Sequence, residues 1–187
     1  MPGISGAWTW ASGAVGFKRG NQVHTTDWGR GRMAYIRDTF EGLPQGWDDV
    51  DAIYTWPDIL NRWVAIKGTQ MHIGSSDKDE PLGFWDSLPE EWQNNGGING
   101  AWTWASGAVG FKRGNQVHTT DWGHGVTRSI RECFVGLPEG WDDVDAIYTW
   151  PRGDNSWVAI KGSQMYVSSS KRTESLSYWD SLPYTWK

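Results

Sequence analysis

The sequence predicts an all-β chain folded as a four-bladed β-propeller, built from a duplicated pair of blades. Three observations lead there. The 187-residue chain repeats itself: residues 4–93 match residues 98–187 at a constant offset of 94 without a gap, and 63 of the 90 paired positions are identical. Each half divides again into two weaker copies, with spacings between repeat starts of 46, 48 and 46 residues. Within a copy, short β-prone runs alternate with tight turn signals. Strands packed that densely at such a period indicate propeller blades rather than helical repeats. One propeller over residues 1–187 is expected, with blades at approximately 4–49, 50–97, 98–143 and 144–187.

The first unit shows how each element is read. Ile4 to Trp10 is short, aromatic and β-prone, and forms the first strand. Ala11-Ser12-Gly13 is a turn, and Val15 to Arg19 a second strand. Gly20-Asn21 is a two-residue hairpin signal leading into a third strand, Gln22 to Thr26. The remainder has room for a fourth strand and a short helix before Leu43-Pro44. In a four-bladed ring the innermost strands crowd the axis. The first strands accordingly carry Ser5, Gly6, Ala7, Ala52, Gly100, Ala101 and Ala146.

Composition supplies the filler. The chain holds 16 Trp and 24 Gly, and every Trp of the first half has a Trp 94 residues later. Indoles recurring in every blade are inter-blade packing. Trp8 and Trp10, two apart, share one strand face. Trp63 and Trp157 follow divergent polar loops (58–62 and 152–156), so they are expected to reach the surface, where an indole can stack on a sugar, a porphyrin or a cation. The net charge of −5 disfavours nucleic acid as a partner, and no apolar run is long enough to span a membrane. A single cysteine, Cys133, permits no internal disulfide. With no signal-peptide pattern at Met1–Ser5, a cytoplasmic location is expected, export by another route being left open.

The units resemble hemopexin repeats. The likeness rests on the Val-Asp-Ala openings (Val50-Asp51-Ala52, Val144-Asp145-Ala146), the Lys-Gly-x-Gln turns (Lys67-Gly68-Thr69-Gln70, Lys161-Gly162-Ser163-Gln164) and the Leu-Pro segment ahead of each opening. Bacterial photopexins and hemopexin-like seed albumins are nearest in kind. The resemblance implies a structural Ca2+ or Na+ in the central channel, with a chloride nearby. The carbonyls of Ser5, Asp51, Asn99 and Asp145 would hold the cation, and those of Ala7, Ile53, Ala101 and Ile147 would bound a second ion position. Many members tie the first and last blades by a disulfide. This chain has none, so closure must rest on packing and strand pairing.

A ligand site is suggested by where the halves agree. Residues 6–29 and 100–123 are identical over 24 consecutive positions, whereas differences collect at 30–41, 58–62 and 72–84. The identical block holds polar groups a fold hardly needs. The expected sites are two pseudo-equivalent sets: Asn21, Gln22, His24, Asp27 and Trp28 with Trp63, and Asn115, Gln116, His118, Asp121 and Trp122 with Trp157. A recent duplication that kept one block intact explains the identity equally well. Strand alternation places Gln22, His24 and Thr26 on one face.

No catalytic elbow, phosphate loop or paired-histidine motif is present, so an enzyme ranks last. The leading expectation is a non-enzymatic binder of a small molecule, with polyamine and haem as candidate ligands. Haem ligated by His24 or His118 would need two chains paired as a homodimer, because the chain holds one propeller. The alternatives are a bivalent glycan-binding lectin and a protein-interaction module that uses the divergent loops.

Overall fold

The computed structural model describes residues 3–27, 29–56, 62–121, 124–151 and 155–187, with the side chain of Asp121 left aside. It contains four antiparallel four-stranded sheets, each a simple up-and-down meander. The first comprises β1 (Gly6–Thr9), β2 (Val15–Arg19), β3 (Gln22–Asp27) and β4 (Arg30–Tyr35), followed by the single-turn helix α1 (Ile36–Thr39). The second comprises β5 (Ala52–Thr55), β6 (Trp63–Lys67), β7 (Gln70–Ile73) and β8 (Lys78–Pro81), followed by α2 (Glu90–Asn95). The third comprises β9 (Gly100–Thr103), β10 (Val109–Arg113), β11 (Gln116–Asp121) and β12 (His124–Ser129), followed by α3 (Ile130–Cys133). The fourth comprises β13 (Ala146–Thr149), β14 (Trp157–Lys161), β15 (Gln164–Val167) and β16 (Arg172–Ser175). The sheets are the blades of a four-bladed propeller. Its innermost strands β1, β5, β9 and β13 gather at the axis.

The hairpins form as their turn residues dictate. Gly20, Gly68, Gly114 and Gly162 all take positive φ near 60° between the second and third strands, a conformation that only glycine adopts without steric cost. The register follows: Arg19 pairs with Gln22 and Phe17 with His24.

The core divides into four clusters, one per blade interface, and two kinds of interface alternate around the ring. Between the first and second blades Trp8, Val23 and Phe40 meet Val50, Ile53 and Ala65. Between the third and fourth, Trp102, Val117 and Phe134 meet Val144, Ile147 and Ala159. The other two interfaces are centred on a buried tyrosine: Tyr54 against Phe111 between the second and third blades, and Tyr148 against Phe17 between the fourth and first. The large indoles of β1 and β9 are accommodated by glycines directly across the sheet. Trp8 pairs with Gly16 and Trp102 with Gly110.

At one end of the axis the four innermost strands are locked by a closed ring of hydrogen bonds. Thr9 Oγ1 donates to Thr149 O, Thr149 Oγ1 to Thr103 O, Thr103 Oγ1 to Thr55 O, and Thr55 Oγ1 to Thr9 O. This ring, with the four cores, closes the propeller without a disulfide. Cys133 is a free, half-buried thiol whose pKa is pushed up by burial.

Candidate functional site

The polar residues shared by both halves separate into two groups. His24 and His118 are only 3% and 2% exposed. Both lie where two blades meet. His24 Nε2 is 3.4 Å from Ser181 Oγ, and that hydroxyl also hydrogen-bonds Thr26 Oγ1. The second copy repeats the knot with His118, Ser87 and Thr120. Each histidine edge also packs on an indole, His24 on Trp186 and His118 on Trp92. Gly31 and Gly125 leave the room required, since a Cβ at either would lie within 2.4 Å of the imidazole Nε2. Burial lowers both histidine pKa values below the usual 6.5, so both rings are neutral near pH 7.

At the expected ligand sites both imidazoles are therefore buried between blades. Each Nε2 faces a serine hydroxyl of the adjoining blade, so the histidines sit as inter-blade contacts. Asn21 and Asp27 are exposed but sit at opposite ends of β3, so they do not converge. Gln22 is half-buried, while Asn115 and Gln116 are exposed at the equivalent hairpin. Trp28, Trp122 and the Asp121 side chain lie outside the described residues. Of the two indoles expected at the surface, Trp63 is partly exposed and Trp157 is not. Trp157 is 9% exposed and Trp63 half-buried, with Phe134 and Phe40 respectively packed edge-on at 4.9 Å. Trp157 belongs to the core between the third and fourth blades, and Trp63 packs from the side against the one between the first and second.

At the axis, strand parity indicates which carbonyls would face the implied ion. Along a strand, carbonyls alternate between its two edges. The carbonyl of Thr9 faces the neighbouring innermost strand, where Thr55 donates to it. The carbonyl of Ala7, two residues earlier in β1, shares that free edge. The same parity applies to Ile53, Ala101 and Ile147. Four inward oxygens suit a hard cation. Ser5, Asp51, Asn99 and Asp145 stand one step further out, each giving its backbone N–H to the second strand (2.8–2.9 Å). There the buried ammonium groups of Lys18 and Lys112 reach Ser5 Oγ and Asn99 Oδ1, and pair with Asp49 and Asp143 at 2.8 and 2.9 Å. A cavity of about 340 Å³ opens at this mouth, lined in part by Ser5, Asn99, Lys112, Asp143 and Asp145. The Asp51 and Asp145 carboxylates are engaged with the Gly68 and Gly162 amides, holding the next hairpin.

The surface offers a different site, on the outer rim of the first blade. The Asn21 carbonyl accepts from Ile36 N, which seats the start of α1 against the β2–β3 hairpin and sets Tyr35 beside Asn21. Arg37 Nε donates to Asp48 Oδ1 at 2.5 Å and its Nη2 to Pro44 O at 2.7 Å, fixing the far wall. Asn21, Tyr35, Arg37, Asp38 and Asp48 enclose a pocket of about 280 Å³. Tyr35 is 54% exposed. The second half keeps Arg131 on Asp142 and Pro138 but has Ser129 in place of Tyr35. Its Glu132, the counterpart of Asp38, is drawn back onto Ser129 in a capping box, and those hydrogen bonds hold its carboxyl below the usual range. The second half thus lacks the tyrosine wall and the outward carboxylate of this pocket. Sequence reasoning named Asn21 but missed Tyr35, Asp38 and Asp48. The available signal was Tyr35 facing Ser129 within the divergent block 30–41.

Neither a family model nor a curated protein sequence matches the chain. Solved structures do. A protein from cow pea described as having the hemopexin fold superposes with a TM-score of 0.74 at 14% identity, covering 97% of each chain. The fold is the hemopexin fold. A plant albumin from Cicer arietinum, described as showing hemagglutination, gives a TM-score of 0.75 at 14% identity over 96% of each chain. A plant lectin from the same species, described as having two metal binding sites, gives 0.71 at 13% identity over 94% of each. At these identities the hemopexin fold is what is shared. Among the described residues, no helix is long and apolar enough to cross a membrane.

Proposed function

We propose that the protein is a non-enzymatic carbohydrate-binding protein that engages a saccharide at the Asn21–Tyr35–Asp38–Asp48 pocket. The observation that carries this reading is the exposed Tyr35 ring on the wall of a pocket otherwise lined by amide, carboxylate and guanidinium groups. An aromatic face stacks on the C–H face of a pyranose, and the polar groups meet its hydroxyls. The same pocket suits a polyamine poorly. Arg37 already neutralises Asp48, leaving one unpaired carboxylate, Asp38, beside a resident cation. Hemagglutination by one solved neighbour and the description of another as a lectin support the choice of ligand class. Because the second half has Ser129 where this pocket has Tyr35, we read the monomer as monovalent, with agglutination the work of chains paired as a homodimer. A structural Ca2+ or Na+ on the carbonyls of Ala7, Ile53, Ala101 and Ile147 would stiffen the axis without taking part in binding.

A glycan array identifies the sugar, and a titration of it followed by NMR gives the affinity. Tyr35→Ser, which installs the residue the second half already uses, should weaken binding about tenfold or more, whereas Tyr35→Phe should retain it. Unchanged affinity in Tyr35→Ser, or tighter binding of spermine than of any sugar, would overturn the proposal.

A further inference from the structure

On the second blade, three differences between the halves fall together in one hairpin. His72, Asp77 and Asp79 stand where the second half has Tyr166, Lys171 and Thr173. His72 is 2% exposed, with its ring against Trp63 at 5.6 Å. Its Nδ1 lies 2.7 Å from Asp79 Oδ1. That contact fixes Nδ1 as the protonated nitrogen and turns the Nε2 lone pair outward. Nε2 is buried without a hydrogen-bond partner, and the Asp77 carboxylate stands 3.8 Å beyond it.

We propose that His72 Nε2 and the Asp77 carboxylate bind a borderline divalent transition-metal cation of the Zn2+ or Ni2+ class, with Asp79 orienting the imidazole. Carboxylate, imidazole and metal in that order is the arrangement by which a second carboxylate fixes a ligating ring and raises its basicity. The spacing fits. Two ligands about 2.1 Å from a shared tetrahedral ion stand roughly 3.4 Å apart, and Asp77, 84% exposed, can close the difference. The carboxylate occupies the place that the phenol oxygen takes in the second half. A Cβ added at Gly136 would lie 3.2 Å from the Tyr166 hydroxyl, and one added at Gly42 would lie 3.5 Å from Asp77 Oδ1 and 4.0 Å from His72 Nε2. The neighbouring Lys78 is paired to Glu80, so it does not compete for Asp77. Among the described residues, no three His, Cys, Asp or Glu side chains converge on one point. Water would fill the remaining positions, making the site exchangeable. It lies on the outer part of the second blade, separate from the axial carbonyls and from the Tyr35 pocket.

The test is calorimetric titration of Zn2+ into the full chain carrying His124→Arg, which removes an exposed competing histidine and copies Arg30. One Zn2+ per chain is expected, shifting the His72 imidazole resonances in NMR spectra. His72→Tyr and Asp77→Lys should each abolish binding, and Asp79→Thr should weaken it 10–100-fold. All three install residues that the second half carries in the same surroundings. Asp77→Asn, altering one exposed group, tests the site even if His72→Tyr fails to fold. Absence of Zn2+ binding in the His124→Arg chain, or binding that survives Asp77→Asn and Asp77→Lys, would overturn the proposal.

Discussion

The threonine ring at the axis makes a quantitative prediction. Replacing Thr55 with Val keeps the shape and β-branching of the side chain but removes the hydroxyl that donates to Thr9 O. The carbonyl loses a partner at a half-buried position. A net hydrogen bond is worth about 1 kcal/mol. Unfolding entropy of about 2.1 cal/mol/K per residue gives roughly 0.4 kcal/mol/K for a chain of this size, so one substitution should lower Tm by roughly 2–3 °C. The quadruple variant at Thr9, Thr55, Thr103 and Thr149 should lose about 4 kcal/mol, or roughly 10 °C, with the fold retained. Differential scanning calorimetry on the single and quadruple variants measures this directly. A quadruple variant melting within a degree of the parent would refute the reasoning: the ring would then contribute nothing that water does not supply.

Two further outcomes follow from buried contacts within and between the blades. Gly110→Ala would put a Cβ 2.2 Å from the Trp102 ring. Forcing that indole from its buried seat should cost about 3 kcal/mol, read as a lower denaturation midpoint with an unchanged m-value. His24 and His118 have folded-state pKa values lowered by burial. The unfolded chain therefore takes up protons first. Stability is complete above about pH 6.5 and falls as pH drops through that value toward the lowered folded pKa, by at most about 1.4 kcal/mol per pH unit for each proton. Melting curves between about pH 5 and 8 should show this slope, and a double His→Asn variant should flatten it.

Much of the fold was legible in the sequence because its signals are local. Gly20-Asn21 marks a hairpin through backbone conformation alone, and the offset of 94 needs only counting. Even the axial threonines are visible as the residue between the two aromatics of each opening, as in Trp8-Thr9-Trp10, although their role depends on four strands meeting. The functional reading fared worse because its partners are remote. His24 looked like a ligand group within its own strand. Ser181, 157 residues away, turns it into a fastener. Trp157 looked exposed beside a polar loop, but Phe134 of the preceding blade covers it. A polar strand face in a propeller is judged by the next blade, and no spacing rule along one blade reveals that.

The alternation of the two interface kinds limits how the ring can be subdivided. The first blade offers one face to a tyrosine-centred seam and the other to a seam built on Trp8 and Phe40. A lone blade is therefore mismatched to its own copy. The first and second blades taken as a pair, in contrast, end at both sides in tyrosine-centred seams that complement each other. The smallest tile that can close this ring by self-association is two blades, and the closed ring takes two such tiles.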